Sequence, residues 1–411
     1  MIIEPNEVMN FFEENDVKFI RLAFSDAFSV QKNISIMPSE MNRAMTTGIH
    51  IESVAVDGGF GEDRKDLYLF PDLTTAALLP WRPSSGRVVR FFCDIKYADG
   101  TPYELDCRHL LRRTLRTLMG EGISCTVGAQ CEFYLFKTDE NGESTGIPFD
   151  NGTYLDAEPR DKGQNVRREI CLTLENMGIS PESSHHEAGP GQNEIDFRYS
   201  DALTSADNVI TLRSVVETIA AQHGLYATFQ PKPLPDSAGN GFHISLIPYQ
   251  MSDARKNVKD SFIAGILHHC AEMTAFLNPA DESYLRLGEH NAPAYVSWAQ
   301  ENFGQLIKVH ETTGGRSDTI ELRSPDACAN PYIAYTLLLM AGLEGVEKGR
   351  TLPEPTNFNT YDAAEGDLAG LKHLPRTFGE AISIARESEF VNRVLPKQLI
   401  DIYTGGNIHN Q

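Results

Sequence analysis

The chain reads His185-His186-Glu187-Ala188-Gly189-Pro190-Gly191-Gln192-Asn193-Glu194 near its middle, a segment that combines acidic residues with a turn sequence. Its Gly-Pro-Gly centre is typical of a chain reversal between two strands, because glycine adopts positive φ and proline fixes its own φ. A reversal here brings the carboxylates of Glu187 and Glu194 side by side. Adjacent carboxylates raise each other's pKa, whereas a hard divalent cation stabilises both charges. The segment therefore predicts a metal site at a β-hairpin.

The sequence from Gln130 to Phe136 predicts a strand whose polar end could join this site. Side chains alternate between the two faces of a strand, so Gln130 and Glu132 share a face with Tyr134 and Phe136. This strand therefore presents two polar side chains in one direction.

Three further residues are candidates for the same site. His243 follows Gly239-Asn240-Gly241-Phe242, a loop whose glycines allow the backbone to approach a ligand closely. Glu321 and Arg323 share one strand face, and Pro325 marks the end of that strand. Arginine binds phosphate and carboxylate groups through paired hydrogen bonds, which suits a site for an anionic substrate.

Each of these residues also has an ordinary structural interpretation. A single glutamate is most often an exposed surface residue, a single histidine is more often structural than a ligand, and a Glu/Arg pair often forms a weak salt bridge. His185 and His186 are left out of the predicted metal set, because a period of two places at most one of them on the carboxylate face. The combination of residues favours one shared site over these separate interpretations.

Composition narrows the class of protein. The chain has 411 residues, a formal net charge of −21 and seven cysteines without C-x-x-C spacing. A strongly acidic surface repels nucleic acid and anionic membranes, so we expect neither as a partner. The cysteine pattern favours a reducing compartment without disulfides or a zinc site. No export signal and no long apolar segment is evident, and we predict a cytoplasmic protein without a membrane span.

The pattern of elements predicts an α+β protein of two domains, 1–100 and 101–411. The first domain reads as short strands, among them Val17 to Phe24 and Val88 to Ile95, with one short helix from Pro5 to Glu14. The second alternates strands with long amphipathic helices. We expect these helices at about 106–119, 163–177, 205–223, 253–277 and 331–348.

The sequence resembles the glutamine synthetase family, specifically its bacterial type I branch. The motifs that carry the resemblance follow one another in order over nearly the whole chain. They are Asp57-Gly58 with Leu69-Phe70-Pro71-Asp72, Gln130-Cys131-Glu132-Phe133, His185 through Glu194, Pro231-Lys232-Pro233, Gly239 through His243, and Glu321 through Pro331-Tyr332.

The resemblance implies a fold, an assembly and a reaction. It implies an N-terminal β-grasp domain, a catalytic domain related to guanidino kinases with a curved antiparallel sheet flanked by helices, and a homododecamer of two stacked hexamers. The implied reaction uses ATP and Mg²⁺ or Mn²⁺ to activate the γ-carboxylate of glutamate as an acyl phosphate, which ammonia or another amine then attacks. Metal cations stabilise the charge that builds on the transferring phosphoryl group.

The resemblance also implies roles for individual residues. Glu132, Glu187 and Glu194 are similar to the first metal site, and His243, Glu321 and Gln130 stand at the second. Glu182, Ser245 and Lys308 fall at nucleotide-side positions. Arg286 and Arg323 match arginines that face glutamate and phosphate, Gly239 and Asn291 fall at the amino-acid and amine positions, and Asp57 matches an acid that a neighbouring subunit contributes to ammonium binding.

Several of these positions depart from the family pattern. Gln130 replaces a metal-binding glutamate and removes one negative charge. Asn291 replaces a glutamate that deprotonates ammonium, which an amide cannot do; Glu289 or His290 are candidates to substitute for it. Phe303 and Lys308 replace arginines, Thr319 replaces a nucleotide-side arginine, and Ser245 replaces a histidine. Each lost charge contact could cost the transition state about 2–4 kcal/mol if nothing compensates.

These departures leave three hypotheses open. The first is a ligase that joins glutamate, or a related acid, to an amine other than ammonia, because Phe303 and Asn291 form a less charged amine pocket. The second is a catalytically degenerate member with a ligand-binding or scaffolding role. The third, which depends on fold analogy alone, is a kinase that phosphorylates a carboxylate or guanidine without ligation.

Overall fold

The computed structural model describes residues 5–59, 64–82, 84–253, 257–289, 291–310 and 319–405. It consists of two β-sheets and the helices that cover them, which confirms the α+β prediction. In this part of the chain no helix is both long and apolar enough to cross a membrane.

The N-terminal region is built on a six-stranded mixed sheet in the order β2-β1-β6-β4-β3, with β5 paired to β6. Strands β1 and β6 run parallel, and the remaining neighbours are antiparallel. The strands are β1 Val17–Ser25, β2 Gln31–Ile36, β3 Ile49–Glu52, β4 Asp66–Pro71, β5 Ala77–Leu78 and β6 Arg87–Lys96.

The helices of this region are α1 Pro5–Glu14, α2 Met41–Thr46 and α3 Val54–Asp57. The expectation of a single helix was wrong, because α2 and α3 are too short to show a clear helical period in the sequence. The predicted strands and α1 are confirmed.

The second sheet has ten strands, and it carries every strand expected to contribute to the site. Its main path is β14-β15-β16-β13-β7-β10-β9, with β8, β11 and β12 also paired to the long strand β7. The strands are β7 Ile123–Thr138, β8 Ser144–Pro148, β9 Pro181–His186, β10 Gln192–Phe197, β11 Ser200–Asp201, β12 Leu225–Thr228, β13 Phe242–Gln250, β14 Trp298–Gln300, β15 Ile307–His310 and β16 Thr319–Leu322. The predicted strand Gln130 to Phe136 is the central part of β7.

Ten helices of the described chain accompany this sheet, and the longer ones form the main core with it. They are α4 Cys107–Gly120, α5 Gln164–Asn176, α6 Ala202–Gln222, α7 Lys259–Leu277, α8 Ser283–Arg286, α9 Pro331–Glu347, α10 Glu365–Leu368, α11 Phe378–Glu387, α12 Glu389–Val394 and α13 Lys397–Thr404. Helices α7 and α9 pack closely: the Gly265 backbone meets Gly345, and a side chain at Gly265 would collide with the Ala341 carbonyl oxygen at 2.1 Å. All five long helices were predicted. Only α7 begins clearly later than expected, at Lys259 instead of Asp253.

Candidate active site

The candidate metal ligands lie on one face of the second sheet because of the strand register. Glu194 of β10 is paired with Glu132 of β7, and His243 of β13 is paired with Gln130 of the same strand. Paired residues on neighbouring strands point to the same side of a sheet. The period of two along β7 therefore places four of the candidate side chains together.

The hairpin between β9 and β10 forms as predicted, and two of its positions require glycine for different structural reasons. Gly191 adopts φ +71°, which an L side chain disfavours. Gly189 provides space, because a Cβ atom there would lie 1.9 Å from the Tyr134 hydroxyl. The Glu187 N–H donates to the Gln192 carbonyl at 2.9 Å and closes the turn.

The register of this hairpin differs in one respect from a direct pairing of the two glutamates. Glu194 is paired with His185, and Glu187 lies in the turn beyond it. His185 Nε2 is 3.0 Å from Glu187 Oε1 and 3.9 Å from Glu194 Oε1. His186 points away and contacts the buried Asp150 at 2.9 Å. The alternation argument was therefore right that one histidine at most lies on the carboxylate face.

The buried carboxylates of this face show the electrostatic cost that a cation would remove. Ligand atoms of Glu132, Glu194 and His243 all lie within 4.8 Å of one another. Burial, with the neighbouring Glu187 charge, raises the pKa of Glu132 to about 7. Burial and the charge of Glu132 also raise the pKa of Glu194. These oxygen donors fit a hard divalent cation, whose charge would favour their ionised forms.

His243 is suited to bind a metal through a neutral ring nitrogen. Burial, together with the charges of Arg323 and Arg286, lowers its pKa to about 3. Within the described chain its Nε2 atom is buried and has no hydrogen-bond partner. A buried, unpartnered imidazole nitrogen beside two carboxylates is a ready metal ligand.

Glu321 lies next to His243 and is held in its ionised form. The His243 Nδ1 atom is 3.7 Å from Glu321 Oε1, and Arg323 and His310 each make a short contact with the same carboxylate. Burial opposes ionisation, but the His310 hydrogen bond and the Arg323 charge lower the pKa of Glu321 to about 2. Gln130, the predicted second-site ligand, donates from Nε2 to Glu194 Oε1 at 3.3 Å.

Arg286 is the last residue of helix α8, and its side chain crosses the glycine loop before β13 to reach the same site. Arg286 is buried and donates to the Ser324 carbonyl at 2.8 Å. A Cβ at Gly239 would lie 2.8 Å from Arg286 Cγ, and one at Gly241 would lie 2.9 Å from Arg286 Nη2. The glycines are therefore needed because this arginine passes directly across the loop.

Two of the departures from the family pattern, Asn291 and Phe303, lie at a cavity of about 540 Å³ at one edge of the sheet. Asn291, Phe303 and Tyr361 line it. The Phe303 side chain is 57% exposed, and the Lys308 Nζ and Arg323 Cζ atoms lie 3.6 and 5.1 Å from its ring centroid. Cations over an aromatic face are attracted by its quadrupole. Phe303 therefore covers the two cations with an apolar surface.

Three nucleotide-side candidates meet at one tyrosine. Burial, with the charges of Glu321 and Glu182, raises the pKa of Tyr199, and hydrogen bonds with Ser245 and Thr319 oppose that rise in part. The Tyr199 ring also lies 3.0 Å from the position of a Cβ at Gly128. Ser245 and Thr319 are small, and Tyr199 contacts both.

Some predicted residues are not brought to this face. Asp57 ends α3 in the N-terminal region, where its carboxylate accepts the Gly59 N–H at 2.8 Å. No contact in the described chain joins Asp57 to the sheet face. Glu289 forms a short ion pair with the buried Lys232, and His290 lies outside the described residues.

Sequence reasoning missed three polar residues of the site. Gln192 donates from Nε2 to Glu132 Oε2 at 3.0 Å and to the Gly239 carbonyl at 3.1 Å, so it joins the hairpin to the loop. It lies two residues before Glu194 in the same strand, and alternation alone could have placed it there. Lys308 and His310 lie two residues apart in β15, so alternation would also have placed His310 on the site face. Tyr199 lies just after the end of β10, and no local sequence pattern marks it as a site residue.

Comparison with known proteins agrees with this architecture. The family model described as "Glutamine synthetase, catalytic domain" matches residues 104–408, and the one described as "Glutamine synthetase, beta-Grasp domain" matches residues 16–98. The chain is 38% identical over 413 residues to the glutamine synthetase of Clostridium saccharobutylicum, covering 97% of this chain and 93% of that protein. It is 37% identical over 420 residues to that of Staphylococcus aureus strain MW2, covering 99% and 92%.

Solved structures agree as well. A structure titled "GmaS/ADP complex-Conformation 1" superposes with a TM-score of 0.86 at 25% sequence identity, covering 97% of this chain and 94% of the other. The same values hold for "Apo GmaS without ligand".

A β-grasp domain followed by a catalytic domain with a curled sheet defines a class of ATP-dependent carbon–nitrogen ligases. The chain belongs to the glutamine synthetase family. It is a ligase of this type, acts on small-molecule substrates, and uses ATP and a divalent metal as the family does.

Proposed function

We propose that this protein joins the γ-carboxylate of glutamate to an amine other than ammonia. The observation that carries the proposal is the position of Phe303, whose exposed ring lies over Lys308 and beside Arg323 in the cavity that Asn291 also lines. An apolar wall and a neutral amide favour an alkyl or aryl amine that enters as the neutral base. Ammonium gains little from such a wall.

The retained carboxylates support the phosphoryl-transfer half of the reaction. Glu132, Glu187 and Glu194 would hold a first divalent cation, and His243, Glu321 and Gln130 a second. Cations bound there supply charge stabilisation for the phosphoryl group and its flanking oxygens. One alternative acidic group of the described chain is already paired, since Asp150 contacts His186 at 2.9 Å and Asp161 accepts from Arg167 at 2.5 Å.

The chain's own cations would orient the anionic substrates. Arg323 is ion-paired with Glu321, and the charge of Glu132 acts on Arg286, so both arginines are candidates to bind the acid and the phosphate. The γ-carboxylate oxygen attacks the γ-phosphorus of ATP and ADP leaves. The amine nitrogen then attacks the acyl carbon, phosphate leaves, and the nitrogen loses one proton. Holding both reactants together removes an entropic barrier.

A base for that proton comes, in this proposal, from outside the chain that holds the sheet face. Asn291 cannot accept it, and the ion pair of Glu289 with Lys232 keeps that carboxylate occupied. We propose that Asp57 of a neighbouring subunit supplies the carboxylate. The proposed assembly is a cytoplasmic dodecamer of two stacked hexamers, and each protomer has an N-terminal domain of residues 1–100 and a catalytic domain of residues 101–411. Among the described residues Asp57 has no contact with the sheet face of its own chain, and this supports a role in trans.

The test is ADP release from the purified full chain. The assay contains Mg²⁺ or Mn²⁺, glutamate, and an amine chosen from ammonium, methylamine, ethanolamine, polyamines and aromatic amines. We expect glutamate-dependent release that one class of alkyl or aryl amine stimulates well above ammonium. The Glu175→Gln variant, altered at an exposed helix position, serves as the control and should match the native protein.

Three outcomes would contradict the proposal. If ammonium is the preferred acceptor, the protein catalyses ordinary glutamine synthesis. Silence with every amine, from a folded protein that still binds nucleotide, would favour a binding or scaffolding role. Release that depends on glutamate but not on any amine would favour the kinase-like hypothesis.

A further inference from the structure

A second cavity, of about 210 Å³, lies between the N-terminal sheet and helix α6 of the catalytic region. Arg21 of β1, Arg90 of β6 and Arg82 line it, together with Trp81 and with Thr211 of α6. None of these residues belongs to the candidate active site. The cavity is smaller than the roughly 300–1,000 Å³ of drug-sized ligand pockets, so its occupant must be small.

The register of the N-terminal sheet places two of these arginines side by side. Arg21 and Arg90 are direct partners in the parallel pairing of β1 with β6. Like charges directly opposite each other destabilise a sheet. Arg82 adds to this repulsion, and together with burial it lowers the pKa of Arg21. Three cations at one cavity wall need a compensating negative charge.

The chain itself supplies only part of that charge: the carboxylate whose charge acts on Arg90 is that of Asp207, which is ion-paired with Arg108. The nearby Arg108 shows the usual solution, since it pairs with Asp207 at 2.8 Å and with Asp72 at 3.0 Å. In the part of the chain that the structure describes, neither Arg21 nor Arg90 has an equivalent ion pair. Glu217 also lines the cavity, but a single carboxylate leaves the wall with a net positive charge.

Arg90 has donor capacity that faces this space. It is 6% exposed, it lies over the Phe92 ring at 4.0 Å, and its Nη1 atom donates to Thr211 Oγ1 at 2.6 Å. Its Nε atom is buried and has no hydrogen-bond partner among the described residues. Burial lowers the pKa of Arg90 to about 10, and the charge of Asp207 opposes that shift only in part. Buried donors of this kind are normally satisfied by a ligand or water.

We propose that this cavity is a binding site for a small anion that carries carboxylate or phosphate groups. Arg21, Arg82 and Arg90 neutralise the anion, and Trp81 packs against it. Arginine forks match both acid groups. Because the wall includes β1 and β6 on one side and α6 on the other, the bound anion joins the N-terminal sheet to the catalytic region. The site is independent of the acceptor proposed for the ligase reaction.

Trp81 provides a local optical test. The chain has two tryptophans, so Trp298→Phe leaves Trp81 as the only reporter. This full-length variant is titrated with inorganic phosphate and, separately, with succinate, against sodium chloride at equal ionic strength. We expect a saturable fluorescence change with at least one acid, weakened tenfold or more by the double change Arg21→Gln and Arg82→Gln. Saturation by phosphate alone or by succinate alone identifies the preferred acid group.

The control is Arg113→Gln, which removes an exposed arginine of helix α4 and should leave binding unchanged. Calorimetry of the chain with both tryptophans repeats the titration if Trp298→Phe misfolds. A change that chloride reproduces, or one that the double variant retains, would overturn the proposal. A further result would also overturn it: the native chain binds neither acid, and the double variant changes the oligomeric mass. That combination would mean that a neighbouring copy of the chain fills the cavity.

Discussion

The two edges of the active-site sheet differ in how their residues are held. On the hairpin side, Glu132 accepts hydrogen bonds from Gln192 Nε2 at 3.0 Å and from the Gly241 N–H at 2.9 Å, and Glu194 is paired with it across the strands. On the β14 to β16 side, Phe303 is exposed and borders an open cavity. Buried hydrogen bonds fix the carboxylates on the hairpin side, whereas the Phe303 side chain on the β14 to β16 side is exposed to the cavity.

This difference accounts for the retained glutamates Glu132 and Glu194 and for the replacements at Asn291 and Phe303, whereas Gln130 is a replacement on the hairpin side. Replacement of a buried, hydrogen-bonded carboxylate leaves several partners unsatisfied, at about 1–3 kcal/mol each. Replacement of a residue at the cavity changes what the cavity accepts and leaves the remaining structure intact. We infer that the hairpin edge performs the phosphoryl transfer and that the cavity edge selects the amine.

Loss of Glu132 should have the largest effect. Glu132→Gln keeps the shape of the side chain but removes one metal-binding charge, and we expect ADP release to fall by roughly 10²–10³-fold. Steady-state ADP assays and Mn²⁺ binding measure the two effects, with Glu175→Gln as the control. Full activity in the variant would show that the hairpin edge does not carry the chemistry.

Metal binding should depend on pH through the same carboxylate. With its pKa raised to about 7, Glu132 holds a proton in the folded protein that the unfolded chain has already released, so metal-free stability falls as pH rises from about 4.5 to 7. Metal must displace that proton, so its affinity should drop roughly 25-fold from pH 7.5 to pH 5.5. Calorimetric titration with Mg²⁺ or Mn²⁺ measures this. A pH-independent affinity would mean that Glu132 is not a ligand.

Removal of the Phe303 ring should alter the choice of amine. Phe303→Ala deletes the apolar wall, and kcat/KM for the preferred amine should fall about tenfold, since apolar contact with a few methylenes is worth roughly 1–2 kcal/mol. The kcat/KM for ammonium should change little. Tyr226→Ala removes an exposed aromatic residue from β12 and provides the control. Equal losses for both acceptors would separate Phe303 from amine selection.

Restoration of the missing carboxylate should have the smallest effect of the four. Gln130→Glu adds a negative charge beside Glu194 and His243, and we expect about fivefold tighter binding of the second cation. Without metal, the added repulsion should lower the melting temperature. Unchanged metal affinity would place Gln130 outside the coordination sphere.

Regular elements were the easiest part to predict from sequence. The long helices have clear apolar periods, and α4 also has an Asp106 cap that accepts the His109 N–H at 3.0 Å. The short helices α2 and α3 contain too few residues to show a period. The pairing of Glu132 with Glu194 depends on contacts far apart in the chain, so alternation predicted the shared face but not the register.

The candidate site was predictable in its charges and not in its geometry. Alternation placed Gln130 with Glu132 and Glu321 with Arg323, and the glycine-rich loop marked His243. The structure brings these residues together. The motif resemblance added Arg286, whose passage across the Gly239 loop no local pattern reveals. The unmatched arginines Arg21 and Arg90 could not be found at all from sequence, because they meet only through the parallel pairing of β1 with β6.

A competition between acceptors tests most directly whether the cavity edge selects the amine while the hairpin edge performs the phosphoryl transfer. The protein is supplied with ATP, Mg²⁺, glutamate and equal concentrations of ammonium and the panel amines, and mass spectrometry quantifies every γ-glutamyl product. We expect one γ-glutamyl alkyl- or arylamide to exceed glutamine in the native protein and to lose that excess in Phe303→Ala. Glutamine as the main product of both proteins would contradict amine selection by the cavity edge.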